Sequence, residues 1–335
     1  MRPLLLKYLC DPVDKSDLRL VDPIYDSKGD IVEGSLISKG GRMYPVINGI
    51  PRFLGKEDLR ETVESFGNEW NYFNFNHFKL NWLNHTVKNT FGSTDVFAGK
   101  LIVDAGAGSG MQSYWMSQTG ANHVISLELS HSVDGVIKKN LMGVDNVDVI
   151  QCSIDCPPIK DGSIGGIVIC HNVIQHTPSV QNTAHALWNI VGEGGEFVFN
   201  CYGKNDEGFI RKIRFELNRF LRAVLSKMPF RALLFYSKVM SILRFIPLFG
   251  LILEKSNLMF RGEVIRGGNY FQRAYMAGGL NTFDWFGSHS FQHYVSDEDI
   301  VALVADLQPD RKKVLNVDEY FLRPPPIGCA LRLLK

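Results

Sequence analysis

The stretch that decides the fold is LIVDAGAGSG, residues 101–110. Three apolar residues precede Asp104, and the three glycines that follow, Gly106, Gly108 and Gly110, alternate with small residues. A buried parallel strand that ends in a glycine-rich turn presents backbone N–H groups at the carboxyl edge of the sheet, where open α/β folds bind ligands. The pattern therefore predicts a strand, a tight turn and a helix, with a nucleotide-type pocket at the turn.

The glycine spacing and the next acidic residue narrow the choice of nucleotide. A dinucleotide fingerprint requires G-x-G-x-x-G, whereas this turn has G-x-G-x-G, with Asp104 just before it. Glu128 closes the next predicted strand, VISLE, 24 residues after Asp104, so one strand-helix-strand unit separates the two acids. Its carboxylate can accept hydrogen bonds from both ribose hydroxyls. The glycine spacing disfavours an NAD-dependent oxidoreductase, which remains an alternative.

These features resemble the class I S-adenosylmethionine-dependent methyltransferases. Three later stretches follow in the order of that family: SIDCPPI at 153–159, HNVIQHTP at 171–178 and GEGGEFVF at 192–199. The resemblance implies S-adenosylmethionine as the cofactor, with its amino acid end at the glycine turn and its ribose on Glu128. The residues that it implies for cofactor binding are Asp104, Ala105, Gly106, Ala107, Gly108, Gly110, Glu128, Leu129, Ser153, Ile154 and His171.

Two departures from the family pattern lie beside the adenine and before the fourth strand. The family's adenine-side Asp is Ser153 here, so a contact to the adenine amine has to come from a hydroxyl or from the backbone at Ile154. The usual S-F-D before the fourth strand has become SIGG, residues 163–166, which removes a structural acid. Neither departure removes the contacts to the amino acid end or to the ribose.

Alternating strand and helix patterns predict the fold class. Strands are expected at 101–104, 123–128, 146–151, 166–170 and 195–201, with an antiparallel pair at 314–317 and 330–334. The predicted class is α/β: a Rossmann-like, doubly wound, mainly parallel seven-stranded sheet with a small N-terminal β module and a helical cap insertion. The predicted domains are a β module at 1–55, a helical lead-in at 56–99, the cofactor-binding domain at 100–202 and 295–335, and a cap that carries the substrate site at 203–294.

The predicted N-terminal module consists of short strands separated by turn-forming residues, and it contains the segment YPVINGIP at 44–51. It resembles the zinc-ribbon-like activator domain of tRNA methyltransferases, which is often fused ahead of bacterial methyltransferases. Of the cysteines that bind metal in that domain, only Cys10 is present in this sequence. Asp14 lies near the position of a second metal ligand. We therefore expect a metal-free module used for packing or partner contact. Residues 1–10 are too short for an export signal, so no targeting segment is predicted.

Composition places the chain among ordinary globular proteins. It has 335 residues, 45% of them hydrophobic and 21% charged, with a formal net charge of +1. That balance argues against a dedicated nucleic-acid binder. The six cysteines contain no C-x-x-C motif, which fits reduced thiols in a cytoplasmic protein. No metal site is predicted, and the oligomeric state is left open.

The segment ESFGNEWNYFNF, residues 64–75, resembles a stretch that precedes the catalytic domain in some fused methyltransferases. Phe66, Trp70 and Phe73 recur at helical spacing. The three residues form either a core-facing stripe or a helix over the cofactor, with Phe66 or Trp70 near the pocket.

The predicted cap is strongly basic. Between residues 211 and 244 there are nine Lys or Arg residues and one acid, Glu216, a local balance of +8. Such a segment is either a solvated cap face over an apolar underside or a surface that attracts anionic lipid or an acidic substrate. FIPLFGLIL, residues 245–253, is too short to span a bilayer but long enough to dip into one. The expectation is a cytoplasmic protein with candidate peripheral contact to the inner face of a membrane through 211–253.

Three histidines are candidates for the general base of methyl transfer, because the ordinary pKa of histidine suits proton removal near neutral pH. His176 follows the fourth strand, whereas His289 and His293 lie in NTFDWFGSHSFQHY, residues 281–294, which resembles the stretch that closes the substrate pocket in fused methyltransferases. The alternative for the last two is a pair of partly buried histidines with hydrogen-bond partners.

The predicted function is S-adenosylmethionine-dependent methylation, with O-methylation of a small-molecule or lipid-like acceptor as the main hypothesis. C- or N-methylation of a quinone-like or natural-product substrate stays open. A different class is a non-catalytic subunit with this fold that activates a partner. Asp104, the three glycines and Glu128 argue against it, because a scaffold has no need of an acid for the ribose.

Overall fold

Five parallel strands form the centre of the sheet in the computed structural model, which describes residues 1–55, 60–73, 75–203, 209–256, 258–259, 269–287, 289–315 and 329–335. These strands are β5 (Leu101–Ala105), β6 (His123–Glu128), β7 (Val147–Cys152), β8 (Ile167–Cys170) and β9 (Glu196–Gly203). Their order across the sheet is β7-β6-β5-β8-β9. They are largely buried, as their nearly continuous apolar sequences require. The predicted doubly wound α/β class is confirmed.

The antiparallel pair at the far edge is also present. β11 (Arg311–Leu315) begins three residues before the predicted start and pairs with β12 (Cys329–Leu334). β12 pairs in turn with β9. Residues 316–328, which include the end of the first predicted strand, lie outside the described residues.

Four N-terminal strands extend the sheet on the side of β7. These are β1 (Leu18–Tyr25), β2 (Ile31–Ser38), β3 (Met43–Ile47) and β4 (Ile50–Phe53), each antiparallel to the next. β4 then runs parallel to β7, with Arg52 opposite Gln151 and Phe53 opposite Cys152. A two-residue strand, β10 (Tyr294–Val295), pairs with the end of β9. The described sheet therefore has 12 strands, of which the predicted seven are the central and C-terminal part.

Buried side chains and an ion pair stabilise the N-terminal module. Leu5 and Leu9 are buried in the same hydrophobic core as Ile159. Arg42 donates from Nε to Asp11 at 2.7 Å and forms a second ion pair with Asp14. Burial raises the pKa of the Asp11 carboxyl, but hydrogen bonds from Arg42 and the backbone of Val13 outweigh it, and the net shift is downward. Asp11 therefore contributes as an anion paired with a guanidinium.

The helices lie around this sheet and above its carboxyl edge. They are α1 (Arg60–Tyr72), α2 (Lys79–Asn81), α3 (Lys88–Phe91), α4 (Met111–Gln118), α5 (Val136–Asn140), α6 (Val180–Ile190), α7 (Phe209–Leu225), α8 (Phe230–Leu243), α9 (Phe249–Lys255), α10 (Tyr270–Phe286) and α11 (Asp297–Ala302). A π-helical segment, Trp82–Val87, joins α2 to α3, and short 3-10 turns lie at Pro3–Lys7, Asn76–Phe78, Thr94–Phe97, His131–Asp134 and Ile174–His176. The predicted cap region contains α7 to α10.

The cap has a small hydrophobic core of its own. Leu233 of α8 and Phe283 and Phe286 of α10 are its buried members. Phe73, just after α1, packs on Phe283 with 5.6 Å between ring centroids, so the lead-in helix and the cap are joined. Among the described residues, the helices are too short or too polar to cross a membrane.

Candidate active site

The glycine turn after β5 adopts the backbone conformation that its sequence requires. Gly106, Gly108 and Gly110 have φ values of +90°, +56° and +75°, which favour glycine. A Cβ atom on Gly106 would lie 2.5 Å from Val173, and one on Gly108 would lie 2.9 Å from the indole of Trp70. The turn is therefore covered closely from two sides, and α1 places Trp70 directly against it.

Glu128 lies at the end of β6, beside this turn. Its Oε2 accepts a hydrogen bond from the backbone N–H of Gly108 at 2.7 Å, and its Oε1 accepts one from Ser130 at 2.8 Å. Burial raises the pKa of the Glu128 carboxyl, and the hydrogen bonds oppose that shift. Because each carboxylate oxygen has two lone pairs, Glu128 can accept from ribose hydroxyls as well as from these backbone groups.

Asp104 is buried at the end of β5, where it holds the start of α4. Its Oδ2 accepts a hydrogen bond from the Ser113 hydroxyl at 2.5 Å, and Ser126 donates to Ser113 at 2.7 Å. Burial raises the pKa of Asp104 to about 6; Glu128 adds to the shift and the Ser113 hydroxyl opposes it. Its predicted contact with the amino acid end of the cofactor stays a prediction.

The raised pKa of Asp104 predicts a pH-dependent stability penalty. Between the usual aspartate pKa of 3.8 and about 6, the folded state holds a proton that the unfolded state has lost. Folding therefore becomes less favourable as pH rises, and the penalty is complete above about 6. Asp104→Asn has no such penalty and should melt at a higher temperature than the native chain at pH 7.5, with the difference vanishing near pH 4. Thermal melts of the ligand-free proteins test this, and equal melting curves at both pH values would contradict it.

The remaining predicted cofactor residues lie along the same edge of the sheet. Ala105 and Ala107 are buried in the turn region, Leu129 follows Glu128, and Ser153 and Ile154 follow β7. His171 follows β8, and its Nδ1 lies 3.0 Å from Nε2 of Gln112 at the start of α4. Desolvation lowers the pKa of His171 to about 4, so its imidazole is neutral.

Two of the three predicted histidines come together on the acceptor side. The ring centroids of His176 and His289 are 4.7 Å apart. Phe66 of α1 stacks on His289 at 4.1 Å and meets His176 edge-on at 5.1 Å. The lead-in helix, the turn after β8 and the segment after α10 therefore converge at one place.

The orientation of His289 defines which ring nitrogen is free to act. Its Nε2 lies 3.1 Å from the backbone oxygen of Asp284 and 3.5 Å from the Asp284 carboxylate. A carbonyl accepts only from a protonated nitrogen, so in the neutral form of the ring Nε2 carries the proton and Nδ1 carries the lone pair. Within the described part of the chain, this buried Nδ1 has no hydrogen-bond partner.

His176 and His293 have different surroundings. His176 Nδ1 lies 3.1 Å from the Phe291 oxygen. Burial lowers its pKa to about 3, with His289 acting in the same direction, so His176 is neutral and a weak base. His293 Nε2 lies 3.0 Å from the Thr177 oxygen, which ties the closing segment to the loop after β8.

One buried and one half-buried acid complete the cluster, and neither is among the residues predicted for the site. Glu69 of α1 is 1% exposed, and within the described residues its Oε2 has no hydrogen-bond partner. Burial and the neighbouring Asp284 raise the pKa of Glu69 well above its usual value. Burial also acts on Asp284, but hydrogen bonds from His289 and Tyr202 give its pKa a net downward shift. The pair therefore holds one proton, on Glu69, and one charge, on Asp284.

The ligand atoms of Glu69, Asp284 and His289 lie within 4.8 Å of one another. This spacing is also compatible with a metal ion, so the expectation of no metal site stays a prediction.

Arg222 of α7 holds the closing segment from the cap side. It donates to the backbone oxygens of Trp285 at 2.8 Å and His289 at 3.1 Å. One helical turn earlier, the Asn218 side chain accepts from the Trp285 indole at 2.9 Å. In the sequence, Arg222 is one of the basic residues of the predicted cap. In the structure it packs against the closing segment, and burial lowers its pKa.

The comparisons with known proteins agree with this geometry. The profile of the family described as "Methyltransferase domain" matches residues 103–199, from β5 to β9. Residues 103–199 therefore form a methyltransferase domain, and its motifs are those of the class I S-adenosylmethionine-dependent enzymes. The methyltransferase domain uses S-adenosylmethionine as its cofactor. The described residues fit that cofactor, because Glu128 has acceptor capacity left for the ribose and the glycine turn lacks the Cβ atoms that would close it.

Curated relatives of this methyltransferase are distant. A "Ubiquinone biosynthesis O-methyltransferase" of Erwinia tasmaniensis is 26% identical over 140 residues, which cover 41% of this chain and 54% of the relative. One of Azoarcus sp. is 28% identical over 114 residues, covering 34% and 48%. The chain thus spans about half the length of these relatives. A solved S-adenosylmethionine-dependent methyltransferase of Mesorhizobium loti covers 71% of this chain and 92% of its own, with 13% identity and a TM-score of 0.40.

Proposed function

We propose that this methyltransferase transfers a methyl group to a hydroxyl oxygen and that His289 is its general base. The orientation of the His289 ring carries the proposal, because Nε2 is directed at Asp284 and the buried Nδ1 lies beside Phe66 and His176 without a hydrogen-bond partner among the described residues. A general base needs an unprotonated nitrogen within reach of the proton that it removes. The nearby Asp284 carboxylate stabilises the imidazolium that forms.

The proposed step moves one proton and one methyl group. S-adenosylmethionine, when bound, supplies a methyl group on a positively charged sulfur. His289 Nδ1 takes the proton of the acceptor hydroxyl while the oxygen bonds to the methyl carbon and the carbon–sulfur bond breaks, leaving its electron pair on sulfur. The products are a methyl ether, S-adenosylhomocysteine and a protonated His289, which then releases its proton to water.

The surroundings of His289 favour this reaction. Phe66 covers one face of the imidazole, and Tyr202 stacks on Trp285 with 5.5 Å between ring centroids. These rings exclude water, which strengthens the interaction between Asp284 and a protonated His289. The Tyr202 hydroxyl donates to the Asp284 carboxylate at 3.1 Å and fixes its position.

We further propose that Glu69 donates a hydrogen bond to the acceptor. Its raised pKa keeps it protonated near neutral pH, and its Oε2 lacks a partner within the described residues. Glu69→Gln keeps a neutral donor and should change KM for the acceptor by less than ~3-fold, whereas Glu69→Leu should raise it by roughly 10-fold, the value of about one hydrogen bond. Steady-state kinetics measure both. Equal KM values for Glu69→Leu and the native enzyme would refute this role.

We propose a phenolic hydroxyl on a quinone-like or small lipid-like molecule as the acceptor. The printed names of the curated relatives and the aromatic lining of the site support this choice. The test is incubation with S-adenosylmethionine carrying a deuterated methyl group and matched phenol, amine and activated-carbon acceptors, followed by mass spectrometry. A labelled methyl ether supports the proposal. A labelled amine or C-methyl product overturns it, as does folded protein that binds S-adenosylhomocysteine and methylates none of them.

A further inference from the structure

The outer face of α7 exposes a stripe of large apolar side chains. Phe209 is 80% exposed and Phe220 is 66% exposed. The stripe consists of Phe209, Ile213, Leu217, Phe220 and Val224. Because successive members are three or four residues apart, they share one face of the helix. A helix of a globular protein normally turns such a stripe toward the core, and an exposed one marks an interaction surface.

The opposite face of α7 explains why the stripe cannot turn inward. Asn218 is buried and bonded to Trp285, and Arg222 is bonded to the backbone oxygens of Trp285 and His289. Rotating the helix to bury the apolar stripe would break all three hydrogen bonds. The same helix therefore supports the acceptor site with its inner face and presents an apolar surface with its outer face.

The charge around the stripe indicates the kind of surface that it contacts. Lys212, Arg219, Lys227 and Arg231 are exposed, and Glu216 is the only acid between residues 211 and 244. Glu216 pairs with Arg219 at 3.2 Å. Apolar side chains with a rim of Lys and Arg are the combination by which helices lie in the interface of anionic membranes.

A second apolar segment follows α8. Residues 245–253 contain no charged side chain, and Ile246, Leu248, Phe249, Leu251 and Ile252 are exposed. Leu248 is 79% exposed and has a φ of +64°, which L side chains rarely adopt. Residues 245–253 therefore have the composition and the exposure of a short segment that dips into a membrane.

We propose that the outer face of α7 and the apolar segment 246–252, which runs from the turn after α8 into α9, dock this methyltransferase on the surface of an anionic lipid bilayer. The described helices cannot span a membrane, so the contact is peripheral. If the proposed O-methylation holds, the acceptor is an amphiphile that resides in the same bilayer, and the inner face of α7 receives it. That last clause rests on the proposed function, whereas the docking itself does not.

Vesicle flotation with the full chain tests the docking. The native protein should float with vesicles of phosphatidylcholine and phosphatidylglycerol, and the bound fraction should fall at least 10-fold with phosphatidylcholine alone or at high salt. The double variant Ile213→Asp and Phe220→Asp should lose binding to the same extent, because both side chains are exposed. Met142→Asp is the matched control, since Met142 is 81% exposed before β7 and far along the chain from the cap.

Three results would overturn the docking proposal. The first is a native chain that stays in solution with anionic vesicles, and the second is a double variant that floats like the native chain. The third is a dimer, seen by light scattering, that the double variant abolishes, because the stripe would then be a contact between two copies. S-adenosylhomocysteine binding, measured on the same samples by calorimetry, should be equal in all variants. If the native chain did not bind S-adenosylhomocysteine, the proposed function would be contradicted, whereas the flotation result would still stand.

Discussion

Replacing His289 by alanine should lower kcat/KM by ~10²- to 10⁴-fold, the usual contribution of a general base. We expect kcat to change more than KM, because the imidazole acts on the proton during its transfer. The aromatic rings proposed to bind the acceptor remain in this variant. Affinity for S-adenosylhomocysteine should be unchanged. Steady-state kinetics and calorimetry on the same preparation separate the two quantities.

The control for this substitution is His185→Ala. His185 lies on α6, and its Nε2 is 3.1 Å from the Asp306 carboxylate, so it is another histidine beside an acid. It should keep native kinetics. Added imidazole should restore part of the activity of His289→Ala and none to His185→Ala. Native kcat in His289→Ala would remove His289 as the base and return the choice to His176 and His293.

The second large effect is expected on the cofactor. Glu128→Ala removes the acceptor of the Gly108 and Ser130 backbone N–H groups and leaves both donors buried. Those bonds exist with and without the ligand, so their loss lowers the stability of the fold. The Kd for S-adenosylhomocysteine should weaken roughly 100-fold because the two proposed charge-assisted hydrogen bonds from the ribose hydroxyls, about 1.5 kcal/mol each, are lost as well. Calorimetric titration measures the Kd.

Glu193→Ala is the matched control, because Glu193 is an exposed acid in the turn before β9. It should bind S-adenosylhomocysteine like the native chain. Glu128→Gln should lie between the two, since its amide keeps one acceptor oxygen. Equal affinity of Glu128→Ala and the native protein would place the ribose elsewhere, and binding of NAD in its stead would favour the dinucleotide alternative.

Local patterns were enough to predict the central sheet. The sequences of β5 and β6 are short apolar runs with Asp104 and Glu128 at or next to their ends. The glycine turn after β5 restricts the path that the chain can take between the two strands. Ser296 caps α11 in the same local way, because its hydroxyl accepts from the Asp299 N–H three residues later. In these places the structure is determined by hydrophobic periodicity and by capping, which involve only residues close together in the chain. A single sequence is therefore enough to predict these elements.

The acceptor side depends on contacts between distant parts of the chain. Glu69 lies in a helix whose pattern predicted only an aromatic stripe, and it becomes important because Asp284, more than 200 residues later, lies beside it. Arg222 has the sequence context of a surface residue, and only the packing of α7 on the closing segment shows that it is partly buried. One sequence without aligned relatives has no signal for either pairing.

The pairing of β4 with β7 has a consequence for any attempt to shorten this protein. A fragment that starts at residue 56 would leave the β7 backbone with one unpaired side and would uncover the apolar surface under Leu5 and Leu9. Bare sheet edges of that kind recruit strands from other molecules and lead to aggregation. The first 55 residues therefore cover the edge of the sheet that β7 would otherwise expose.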